Sequence, residues 1–197
     1  MSFVVCLATS SFGIMMSDGR VTDGDNITNE NYQKFIRLPN DLIIGYAGDA
    51  LFCTTCIALS FHGKKIEGIN IDSAFQMINN TAITLLNDSR LTKFIKSMFL
   101  FLGRNQNGAL QISTMQIIGK EFEKHHFIPN GSIDIKYACA GTDAVNDPEI
   151  LLASSIHSKG GRLIDGLAEA IRVVSTIDNS VNDHVFYESI GTVPDFL

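Results

Sequence analysis

Four residues near the start of the chain have the chemistry needed for acyl transfer: Ser2, Asp18, Lys34 and Gly48. A serine hydroxyl is a nucleophile, but a weak one until a base takes its proton. Lys34 sits in a stretch, 32–38, that alternates like a strand and puts Tyr32, Lys34, Ile36 and Leu38 on one face. An ammonium in such an apolar row needs a partner. Asp18, at the end of the neighbouring strand, is the candidate; the alternative is a tilted edge strand with Lys34 in water. Gly48 closes the apolar run 42–47 just before a helical stretch. A strand-glycine-helix junction leaves backbone N–H groups free of side-chain cover, and can hold an anion or an oxyanion.

The elements that position these residues follow from local pattern. Apolar runs at 4–7 and 14–16, separated by a turn mixture at 9–13, form a hairpin that starts almost at the terminus. Asp18-Gly19-Arg20 is a polar turn, followed by a loop rich in Asp, Asn, Gly and Thr up to Glu30. Pro39-Asn40-Asp41 turns the third strand into the fourth, and a helix is expected over 50–61. Asp72 is the expected N-cap of a second helix ending near Leu86, and a short helical pattern is expected within 87–96. Strands at 98–102, 110–118 and 122–127 come next. A strand at 135–140, helices from Pro148 and over 163–176, and a last strand at 184–190 complete the chain. The pattern is α+β in one domain over 1–197.

Composition narrows the function classes. With 197 residues, 45% hydrophobic and 18% charged, the chain can bury a sizeable core. A net charge of -6 argues against a nucleic-acid or anionic-membrane surface. The longest apolar runs are too short to span a membrane and the N-terminus lacks a signal-peptide pattern, so a cytoplasmic protein is expected. Cys53 and Cys56 have metal or redox spacing without a second pair, and are expected as reduced core thiols on one helix face. His125 and His126, adjacent on a strand, point to opposite faces and make a poor metal site. Neither a metal nor another cofactor is expected.

The first fifty residues resemble the start of a proteasome β-type subunit, a family that includes the bacterial HslV peptidase and its bacterial relatives. Counting from Ser2, an Asp stands sixteen positions on, an Arg eighteen, a Lys thirty-two and a Gly forty-six, giving Asp18, Arg20, Lys34 and Gly48 in register with the family motif. The resemblance implies an N-terminal nucleophile hydrolase with a four-layer αββα sandwich, two antiparallel sheets between two helix layers. It also implies that Ser2, once Met1 is removed, attacks a peptide bond with its own α-amine as base. Such an amine titrates near 8, far closer to neutrality than an ordinary lysine near 10.4. Lys34, held charged by Asp18, would stabilise the alkoxide, and the Gly48 N–H the oxyanion. Backbone at Thr22 and Ala50 would pair with an extended peptide, while Val21, Tyr32, Ile36, Tyr46 and Thr54 would line the pocket before the scissile bond.

In the second half the resemblance is looser. Thr142, in Ala140-Gly141-Thr142, would stand in for the serine of the family's Gly-Ser-Gly. Asp178 and Ser180 resemble the family's Asp-x-x-Ser-Gly, one residue short and without the glycine. Partners implied are further copies in a homo-oligomeric ring and unfolded polypeptide substrates, with an ATP-dependent unfoldase admitted. A proteolytically silent relative kept for assembly or regulation, and a small-molecule amidase on the same scaffold, are the alternatives.

Overall fold

A computed structural model describes residues 2–23, 26–88, 93–131, 134–141, 145 and 147–195. Its strands are β1 (Phe3–Ala8), β2 (Gly13–Asp18), β3 (Val21–Asp23), β4 (Asn26–Asn29), β5 (Phe35–Leu38) and β6 (Leu42–Gly48), followed by helices α1 (Ala50–Phe61) and α2 (Ile71–Leu86). Then come β7 (Lys96–Arg104), β8 (Leu110–Ile118), β9 (Glu121–Phe127), β10 (Lys136–Gly141), α3 (Pro148–Ser158), α4 (Leu163–Ile177) and β11 (Val185–Ile190). One sheet has the order β10-β1-β2-β11, the other β5-β6-β7-β8-β9, and β3-β4 is a separate ribbon. Every pairing is antiparallel.

Strand alternation explains the layering. Phe3, Val5 and Leu7 of β1 pack with α3 and α4 residues such as Leu152, Leu167 and Ile171. Val4, Cys6 and Ala8 face the opposite way, against Ile43, Leu100 and Leu102 of the second sheet. In β6, Leu42, Ile44 and Tyr46 meet α1 and α2, while Ile43 and Ala47 face the first sheet. Strands covered on both sides read as unbroken apolar runs, and each fully buried aliphatic side chain contributes about 1.5–3 kcal/mol. The αββα sandwich is therefore set by three cores, one between the sheets and one under each helix pair.

Local chemistry fixes the ends. Asp49 caps α1 by accepting from Phe52 N–H at 3.0 Å, and Asp147 caps α3 at Ile150 N–H, with Pro148 in the first turn. The expected cap of α2 is corrected: Asn70 accepts from Ser73 N–H, and Asp72 lies in the first turn. Asp72 instead accepts from Gln106 N–H and Gln111 Nε2. The third strand is shorter than expected, because it starts at Phe35 and leaves Tyr32 and Lys34 ahead of it. The polar loop after Arg20 holds the β3–β4 ribbon, whose β4 is exposed throughout and so carries no hydrophobic alternation to betray it. Of the stretch 87–96, where a short helical pattern is expected, residues 89–92 lie outside the described residues, and the described flanks 87–88 and 93–96 are not helical. No helix among the described residues is long and apolar enough to cross a membrane.

Candidate active site

Asp18 ends β2 with no exposed surface, and Lys34 is 2% exposed. The Lys34 Nζ lies 2.6 Å from Asp18 Oδ1. That same oxygen accepts from Phe3 N–H at 2.7 Å, and Oδ2 accepts from Arg20 N–H at 2.9 Å. One carboxylate thus receives three donors in a buried setting, which offsets the cost of removing it from water. Burial pushes Lys34 below the ordinary lysine range; the charge and hydrogen bond of Asp18 oppose this, and the Arg20 charge adds to it.

The start of the chain is clamped at the same place. Phe3, tied to Asp18, pairs with Gly141 across β1 and β10. Gly141 has φ +133, and a Cβ there would lie 1.5 Å from the Ser2 carbonyl oxygen, so only glycine lets β10 close over Ser2. Ser2, Lys34 and Gly48 line one cleft of about 580 Å³.

Gly48 presents its amide to this cleft by strand geometry. Tyr46 N–H donates to Lys34 O at 3.0 Å, whereas Asp49 N–H points the other way, to Lys96 O at 3.3 Å. N–H groups alternate along a strand, so that of Gly48 follows Tyr46 toward the β5 side. Continuing the β5–β6 register, its opposite would be Tyr32, whose backbone has turned aside to donate to Gly19 O. Asp49, next to this amide, is occupied elsewhere: Oδ1 caps α1 and Oδ2 pairs with Lys93 Nζ at 2.7 Å. Burial alone would raise the Asp49 carboxyl, but the Lys93 ammonium and the Phe52 N–H outweigh it and hold it below the usual range.

Val21, Thr22, Tyr32, Tyr46 and Ala50 line the cleft. Tyr32 and Tyr46 join their hydroxyls at 2.9 Å. Burial, then that bond, push the Tyr46 phenol far up, so it stays protonated. Ile36 and Thr54 stand away from the cleft lining: Ile36 packs against the α1–α2 core, and the Thr54 hydroxyl donates to Ala50 O. Ser180 closes on Asp178 through its N–H at 2.8 Å and its hydroxyl at 2.6 Å, and neither residue lines the cleft. Their loop reaches the site indirectly, since Arg20 Nη1 donates to Asn179 O at 2.6 Å. Thr142 and Met1 lie outside the described residues.

Two residues not singled out in the sequence belong to the frame. Asn182, from the α4–β11 loop, accepts from Gly19 N–H at 2.8 Å and donates to Glu30 O and Oε2. It braces the Asp18-Gly19-Arg20 turn. Ser97, on β7, accepts from Asp49 N–H at 3.1 Å behind Gly48. Neither has a motif; both are ordinary polar residues brought in by distant pairing. Cys53 and Cys56 are buried free thiols, as expected for core positions. His126 bonds Ser113 Oγ and packs edge-on against Phe75, while His125 pairs with Glu123, and no group of metal-ligating side chains occurs among the described residues.

The architecture is similar to that of the crystal structure of eukaryotic HslV from Trypanosoma brucei, with a TM-score of 0.61, 15% identity, and coverage of 96% of this chain and 99% of that one. The two share a fold. No protein-family model matches the sequence, and no curated protein matches it either. The HslV-like frame agrees with the expected αββα sandwich nearly end to end.

Proposed function

We propose that this chain is a proteasome-type peptidase, a member of the family it resembles, that hydrolyses peptide bonds with Ser2 as N-terminal nucleophile after loss of Met1. The observation that carries the reading is the convergence of Ser2, Lys34 and the Gly48 junction on one cleft, with the buried Asp18 bonded to Lys34 behind it. The free α-amine takes the Ser2 hydroxyl proton as Oγ attacks the scissile carbonyl. Charge developing on the carbonyl oxygen is met by the Gly48 N–H, and the Lys34 ammonium lowers the cost of the alkoxide. The protonated amine then gives its proton to the leaving nitrogen, and water hydrolyses the resulting ester. We further propose that the chain works in the cytoplasm within a homo-oligomeric ring on unfolded polypeptides, and an ATP-dependent unfoldase fits as a feeding partner.

The test is intact mass together with fluorogenic peptide turnover. The expected chain lacks Met1 and turns over peptide, and Ser2→Ala reduces turnover to background. Retained methionine would leave the Ser2 nitrogen as a non-basic amide, and the chain would then be a silent relative.

The pH profile carries a second expectation. Activity rises as the α-amine loses its proton, and falls again as Lys34 loses its own, below the ordinary lysine range. Stability moves the opposite way in that upper window. The folded chain releases the Lys34 proton before the unfolded chain does, so the unfolded state binds more protons and the contribution of Lys34 to stability rises with pH there. Turnover and urea denaturation measured across alkaline pH, with Lys34→Met as reference, check both signs.

A further inference from the structure

We infer that Ser97 is a positioning residue for the Gly48 amide, an inference that rests on the peptidase reading above. Ser97 is 3% exposed, lines the cleft and faces Gly48 directly in the β6–β7 register. Its Oγ accepts from Asp49 N–H at 3.1 Å, closer than the backbone acceptor Lys96 O at 3.3 Å. The plane of the 48–49 peptide is therefore held by a side chain as well as by the sheet. Gly48 needs that hold, because at φ +100 and without a Cβ its flanking peptides rotate more cheaply than those of any other residue. Without that hold the Gly48 Cα can shift away from β7, and the 47–48 peptide that carries the Gly48 N–H shifts with it.

Asp49 is also tied to α1, whose Cys53 N–H donates to Asp49 O at 3.0 Å. The Ser97 tie does not touch the substrate. It sets the direction of a donor that matters most when negative charge develops, so its loss acts on kcat more than on KM.

The experiment uses the assembled, full-length protein and a fluorogenic peptide, with kcat, KM and amide hydrogen exchange at Asp49 measured for each variant. Ser97→Ala is expected to lower kcat about tenfold, less than outright loss of an oxyanion donor. Its KM stays within about twofold, because ground-state binding is untouched, and Asp49 exchanges faster. Ser97→Thr, which keeps the hydroxyl, restores most of the rate. Ser113→Ala is the control, since it removes an equally buried strand hydroxyl bonded to Gln111 and His126 away from the cleft, and leaves kcat unchanged. An unchanged kcat in Ser97→Ala, an equal loss in Ser113→Ala, or no rescue by threonine overturns the inference while leaving the peptidase reading intact. A wild type without turnover overturns the peptidase reading, and this role with it.

Discussion

Lys34→Met is expected to lower peptide turnover at least about 100-fold, the scale of removing one preorganised charge or donor from a transition state. It is also expected to destabilise the fold by about 3–5 kcal/mol, the cost of breaking a buried ion pair from one side. The Asp18 carboxylate would keep its two amide donors, from Phe3 and Arg20, but lose its counter-charge. Asp18→Asn should be worse for stability, because it strands a buried ammonium and also loosens the hydrogen bond that starts β1. Both variants should be inactive. Urea denaturation and peptide turnover on the two single variants and the double variant separate these effects. The expected coupling is positive, since removing both charges together leaves neither one unpaired.

Gly48→Ala is the second large effect. A Cβ at this position would stand 2.2 Å from Lys96 O and 2.8 Å from Ser97 Cα, so β6 must pull away from β7. The left-handed backbone adds about 1–3 kcal/mol of strain for a non-glycine residue. Because the amide that shifts is the one aimed into the cleft, turnover should fall about 100- to 1000-fold. Gly63→Ala separates strain from site: Gly63 also has positive φ, +66, but a Cβ there meets nothing within 4 Å. That variant should lose some stability and no activity, measured by the same two assays.

The most legible parts of the site in the sequence were those where a local rule was broken. A lysine in an apolar alternating row called for a buried partner, and Asp18 supplies it. A glycine between a strand and a helix called for special backbone, and Gly48 has it. The α+β class could be read because β1, β6 and β7 are apolar on both faces and α4 is apolar on one, as burial demands; the four-layer sandwich was implied only by the family resemblance. What escaped was set by competition or by distance. Asn70 and Asp72 are both competent caps for α2, and the choice depends on Gln106 and Gln111 drawing Asp72 away. In the ribbon β4 is exposed throughout and β3 is only three residues long, half-buried at Val21 and Thr22, so neither shows an alternation that distinguishes it from a loop. Asn182 and Ser97 act through single hydrogen bonds to residues far along the chain, a relation no spacing encodes. Asp178 and Ser180 show the converse: their motif was visible, yet Ser180 bonds Asp178 itself and only Asn179, between them, is bonded by Arg20.

The central claim is that the first residue of the processed chain is the nucleophile, and intact-mass spectrometry before and after exposure to a peptide electrophile tests it most directly. The expected result is a chain one methionine lighter than the full sequence, gaining a single adduct that maps to Ser2 and is lost in Ser2→Ala and Lys34→Met. A chain that keeps Met1, or an adduct on any other residue, would contradict it.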